Sequence, residues 1–136
     1  MIRLIVFHAM SATSVIVGER RNTGTASASY SLTGTTTGTL TIAGGVVNIG
    51  ATGLNIAPSL STNVNNTAAG TVTISAGTVT ILGPVVLGSS SNANGSSVAS
   101  LIITGGTVDV RNSIGKGVGN GFASVTSTLR LDNASL

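Results

Sequence analysis

Four stretches of the chain repeat one another. Residues 38–50 read GTLTIAGGVVNIG, residues 70–83 read GTVTISAGTVTILG, residues 99–110 read ASLIITGGTVDV and residues 127–136 read STLRLDNASL. Aligned on their first apolar residue, Leu40, Val72, Leu101 and Leu129, they are spaced by 32, 29 and 28 residues. A second apolar column follows two residues later, at Ile42, Ile74, Ile103 and Leu131. A third lies at Val47, Val79, Val108 and Leu136, and a fourth at Ile49, Ile81 and Val110. Self-similarity at this period marks a repeat architecture, in which one unit is too small to bury its own apolar side and relies on its neighbours.

Each unit has the same internal logic. Thr39, Leu40, Thr41 and Ile42 alternate polar and apolar, the pattern of a strand with one buried face. Gly45, Gly77 and Gly106 stand five residues after the first column, where glycine permits a sharp corner. Val47-Asn48-Ile49 then alternates again. A third apolar piece follows, Leu54-Asn55-Ile56 in one unit and Val85-Val86-Leu87 in the next. Polar stretches at 57–69, 88–98 and 115–127 close the units and read as loops projecting from one side. A period of 32 carried backwards places Val15, Val17 and Gly18 on Val47, Ile49 and Gly50, and His8 and Met10 on Leu40 and Ile42. This gives a degenerate first unit within 1–37, ahead of the repeats at 38–136.

Composition narrows the fold. Gly, Thr, Ser and Asn make up half of the 136 residues, yet 41% of the chain is hydrophobic, dominated by Val and Ile. Both are β-branched and favour strands. Hairpins in a sandwich do not require one apolar column to recur at a near-constant period; a parallel β-solenoid does. The expected fold is therefore all-β, a parallel β-solenoid (β-helix) of about four to five coils with glycine corners. Its coils would stack about 4.8 Å apart, with aliphatic ladders inside and Thr and Asn outside.

The GTLTIAGGVVNIG type of unit resembles the β-strand repeats of bacterial autotransporter passengers and related surface β-helix proteins, over residues 38–136. The resemblance implies a secreted, elongated β-helix at the cell surface, concerned with structure or adhesion, with surface glycans among its partners. The family repeat carries no catalytic residues. The chain departs from the family in its shortness, and it shows no membrane-barrel segment for self-export.

Other chemistry is poorly supplied. There are six Lys and Arg against three acids, for a formal net charge of +3, and no charged residue lies between Arg21 and Asp109. The cations are scattered and aromatics are nearly absent, so nucleic-acid binding is not expected. No window is long and apolar enough for a transmembrane helix. Without Cys, disulfides and thiolate metal sites are excluded. Glu19, Asp109 and Asp132 are too few for an acidic metal cluster, and His8, the only His, has no visible carboxylate partner. Neither a catalytic site, a metal nor a cofactor is expected. Asn65 and Asn94 begin glycosylation sequons in equivalent loops.

The two ends suggest a use. The last unit breaks off with Leu129, Leu131 and Leu136 still in core columns, and the segment MIRLIVFHAM is the most apolar in the chain. It also has the outline of a short signal peptide, with a weak cleavage site at Met10-Ser11-Ala12. Read as a strand, it sets Met1, Ile2, Leu4 and Val6 against Leu129, Leu131 and Leu136 of a neighbouring molecule. Such a head-to-tail contact does not close and generates a filament. The expectation is a non-enzymatic, extracellular homopolymer without membrane insertion. The alternatives are an adhesin or passenger fragment at the cell surface, and an ice-binding protein whose paired Thr residues would order water.

Overall fold

The computed structural model describes residues 9–21, 34–60, 66–91 and 95–132. They form an all-β structure, with no helix among the described residues. Its parallel strands make one nearly closed, barrel-like sheet. In chain order the strands are β1 (Ala9–Val17), β2 (Gly34–Ser59), β3 (Asn66–Ile81), β4 (Val85–Ser90), β5 (Ser96–Ile103), β6 (Thr107–Val110), β7 (Ile114–Lys116) and β8 (Ser124–Leu131).

The pairings fall into three ladders. In the first, residues 34–42 of β2 pair with β3, β3 with β5, and β5 with β8. Leu40, Val72, Leu101 and Leu129 lie in register there, as do Ile42, Ile74, Ile103 and Leu131. In the second, residues 9–12 of β1, 46–49 of β2, 78–81 of β3 and β6 lie side by side. In the third, residues 14–17 of β1, 53–59 of β2, β4 and β7 do the same. The sequence columns are thus physical neighbours one strand spacing apart.

Alternation decides what is buried. Leu40, Ile42, Val47, Ile49, Val72, Ile74, Val79, Ile81, Leu101, Ile103 and Val108 are all buried, together with Leu54, Ile56, Val85 and Leu87 of the third ladder. Val110 is half-buried and packs against them. Fully burying one such side chain contributes about 1.5–3 kcal/mol. Because the columns repeat, each aliphatic group meets its equivalents from the adjacent strands.

The corner between the first and second ladders needs glycine for two reasons. Gly45, Gly77 and Gly106 have φ of 77°, 93° and 83°. A Cβ on Gly77 would also stand 2.6 Å from the Gly45 carbonyl oxygen, and one on Gly106 2.7 Å from that of Gly77. Each corner sits directly on the carbonyl of the one before it. A second left-handed position follows the paired column Val17, Ile56 and Leu87. Gly18 and Gly88 have φ of 71° and 73°, and Ala57 between them takes 55°. Register with its glycine neighbours carries Ala57 into a conformation that costs a residue with a Cβ about 1–2 kcal/mol.

Two sequence expectations need correction. In the first unit, Met10 pairs with Val47 and Ala12 with Ile49, while Val15 and Val17 pair with Leu54 and Ile56. A constant period set Val15 and Val17 on Val47 and Ile49, and Met10 on Ile42. The spaced apolar pairs fit either column, and the corner decides. Gly18 takes the left-handed turn of Ala57 and Gly88 rather than the place of Gly50. The polar stretches are also less loop-like than expected. β2 runs on to Ser59, β3 starts at Asn66, β4 reaches Ser90, and β5 starts at Ser96. The apparent loop from 115 gives up residues to β7. Polar side chains lie inside here: Ser59, Asn66, Ser90 and Ser97 are buried. Ser97 Oγ donates to the Ala57 carbonyl at 2.5 Å, and Ser127 Oγ to that of Leu87 at 2.6 Å, tying the first ladder to the third.

Candidate assembly surfaces at the two ends

The outer edge of β8 pairs with no other strand among the described residues. Its inward positions continue buried columns. Leu101 is 1% exposed and Ile103 0%, whereas Leu129 and Leu131, next in the same columns, are 43% and 45% exposed. The change is one of position in the ladder, not of residue type. Parallel edges of this kind, with unpaired N–H and C=O groups beside aliphatic side chains, are templates for a further strand.

At the opposite end the outer edge of residues 34–42 pairs with no other strand among the described residues. A cavity of about 560 Å³ opens there between β1 and residues 36–40. Met10, Val15, Val17 and Leu40 line it, with Ala12 and Gly38. At its rim Arg20 is held by its backbone, its N–H donating to the Pro58 carbonyl at 3.0 Å and its own carbonyl accepting from Leu60 N–H at 2.7 Å. Its guanidinium donates to Thr36 Oγ1 at 3.3 Å.

The acids are all engaged. Glu19 pairs with Arg21 at 2.7 Å and Asp109 with Arg111 at 2.8 Å, while Asp132 pairs with Arg130. Each partner is two residues away, the spacing that puts both side chains on one face of a strand. Such exposed pairs contribute at most about 1 kcal/mol. Asp109 stays in its outward column beside Thr80. No group of three metal-ligating side chains exists among the described residues. Lys116, outside these pairs, shares the column of Ile56 and Leu87 at the exposed end of the third ladder.

The outer face of the first ladder carries the hydroxyl columns. Thr39, Thr71, Ser100 and Thr128 stand in one, while the next runs Thr41, Thr73, Ile102 and Arg130. Of the residues expected at the subunit contact, Leu129 and Leu131 lie on the open edge. Met1, Ile2, Leu4, Val6 and Leu136 lie outside the described residues, as do His8 and the sequon residues Asn65 and Asn94.

Protein-family models, curated proteins and solved structures show no match to this chain. The open edges themselves therefore carry the functional reading. Sequence alone pointed to β8 through its leucines. The opening at residues 34–42 is hidden in the sequence, where a constant period lays His8 and Met10 over Leu40 and Ile42; the left-handed turn at Gly18 is the feature that shifts the first unit to other columns.

Proposed function

We propose that the three ladders are the faces of one parallel β-solenoid, and that the chain is the structural subunit of an extracellular filament assembled head to tail. One observation carries this reading. Leu129 and Leu131 stand nearly half exposed at the edge of a parallel ladder whose equivalent residues, Leu101 and Ile103, are buried. The partner that fits such an edge is a strand with the same two-residue apolar spacing. Every unit of this chain supplies one, so a second copy satisfies the edge without any other protein. Backbone hydrogen bonds in register, backed by aliphatic columns, give cross-β assemblies their stability. The placement outside the cell accords with the resemblance to surface β-helix repeats. No step of the proposal calls for catalysis, a metal or a cofactor.

Electron microscopy of the purified chain tests the proposal. Unbranched fibres are expected from the unaltered sequence. Leu131→Asp should give dispersed monomers, because it would bury an unpaired charge in the stacked core. Since Leu131 is exposed in the single chain, circular dichroism and the unfolding temperature of that variant should change little. Fibres of normal length from Leu131→Asp would remove the proposed contact. Dispersed monomers from the unaltered chain would favour the adhesin reading, or, with thermal hysteresis, the hydroxyl-bearing face as an ice-binding surface.

A further inference from the structure

The geometry points to a specific joint between copies: the last strand of one subunit and the first strand of the next together complete a single layer. This rests on the filament reading above and adds the register of the contact. The two ends are complementary steps. At one end β8 extends the first ladder one strand beyond β5, while β6 and β7 end the second and third ladders among the described residues. At the other, β1 extends the second and third ladders one strand beyond β2, while residues 34–42 end the first ladder among the described residues. Among the described residues, the strand that protrudes at one end matches the step at the other.

Brought together in parallel, the ends continue every column. Leu129 and Leu131 of one copy lie against Leu40 and Ile42 of the next, with Ser127 against Gly38. The inward row of β8 fills the 560 Å³ cavity lined by Met10, Val15 and Val17. Ala12 of the next copy then covers Val110 and Val15 covers Ile114, following the columns that run through the subunit. No like charges meet in register. Arg130 faces Thr41, Asp109 faces Ser11, and Lys116 faces Val17. The lysine is the one charge in an inward column. It is exposed in the single chain and would be covered by Val17 of the next copy.

A count of strands gives the assembly its repeat. Each ladder holds four strand segments among the described residues. With a strand spacing of about 4.8 Å, joining copies this way advances the filament by about 19 Å per subunit. A whole number of layers per subunit also means that the joint adds no gap.

Helical reconstruction of the fibres should show that rise of about 19 Å. Cross-linking checks the register. Thr39 and Thr128 occupy one outward column, as do Ser11 and Asp109. Within a subunit their strands are three spacings apart, but across the joint they become neighbours, within the roughly 4.4–6.8 Å Cα separation a disulfide spans. The chain has no Cys of its own. Oxidised fibres of Thr39→Cys/Thr128→Cys, and of Ser11→Cys/Asp109→Cys, should therefore run as reducible multimers on denaturing gels. Lys116→Leu should lower the critical concentration about tenfold, by extending an aliphatic column under Val17. Fibres with a different rise, fibres that form neither cross-link, or a critical concentration that Lys116→Leu leaves unchanged or raises would overturn this joint while leaving the filament in place. A chain that forms no fibres would overturn the filament reading itself.

Discussion

Gly70→Ala is expected to lower the unfolding midpoint by roughly 10 °C, a loss of about 3 kcal/mol. Gly70 lies in β3, where the first ladder comes close to the third. A Cβ there would stand 2.6 Å from the Val17 carbonyl oxygen and 2.9 Å from the Ala57 amide nitrogen, with Ile56 Cγ2 at 2.8 Å. Two of those atoms are backbone of strands held by their own ladders, so no side-chain rotation makes room. The column itself shows that the limit is local. Gly70 pairs with Ala99, and Ala99 with Ser127. Ala99 is tolerated because Gly88 stands opposite, its empty Cβ position 3.6 Å from the Ala99 methyl. Gly115→Ala is the control. It has nothing within 4 Å of a new Cβ and should shift stability by no more than about 0.5 kcal/mol. Thermal unfolding of the two variants compares them directly. Equal midpoints would mean that the ladders do not approach as closely as the structure places them.

This crowding marks the limit of what the sequence shows. The period was legible because stacked strands must carry similar residues at similar intervals, and Leu40, Val72, Leu101 and Leu129 are in register as the repeats align them. Corner glycines were legible for the same reason. The buried polar residues were not. These are Ser59, Asn66, Ser90 and Ser97, whose polarity reads as loop. Ser97 can be inside because its hydroxyl reaches the Ala57 carbonyl opposite. The placement of β1 was lost for a different reason. An apolar residue, any residue and another apolar residue suits the second ladder as well as the first. Only the left-handed turn at Gly18 fixes which column the strand enters. The open ends were half legible, since the leucines of β8 mark one edge and nothing in Thr36, Thr37 or Gly38 marks the other.

Ile103→Ala should cost about 2–5 kcal/mol, while Ile102→Ala, one residue away, should cost under about 1 kcal/mol. The two isoleucines have the same chemistry and are neighbours in the same strand. They differ in the face they occupy. Ile103 is 0% exposed and stands between Ile74 and Leu131, so truncation leaves a cavity bounded by groups that their own ladder hydrogen bonds hold in place. Ile102 faces outward between Thr73 and Arg130, where solvent takes up the vacated volume. The contrast depends on period-2 alternation within β5 and on the register of β5 with its neighbours, so it tests both. A one-residue slip of β5 would exchange the faces and reverse the order of the two variants. Denaturant titration of both measures the difference. The same face assignment puts Leu129 and Leu131 on the inside, and that is what makes β8 an unfinished layer rather than a polar edge. If Ile102→Ala proved the costlier change, the inward row of β8 would become Thr126, Thr128 and Arg130, and the apolar surface proposed to join one subunit to the next would no longer exist.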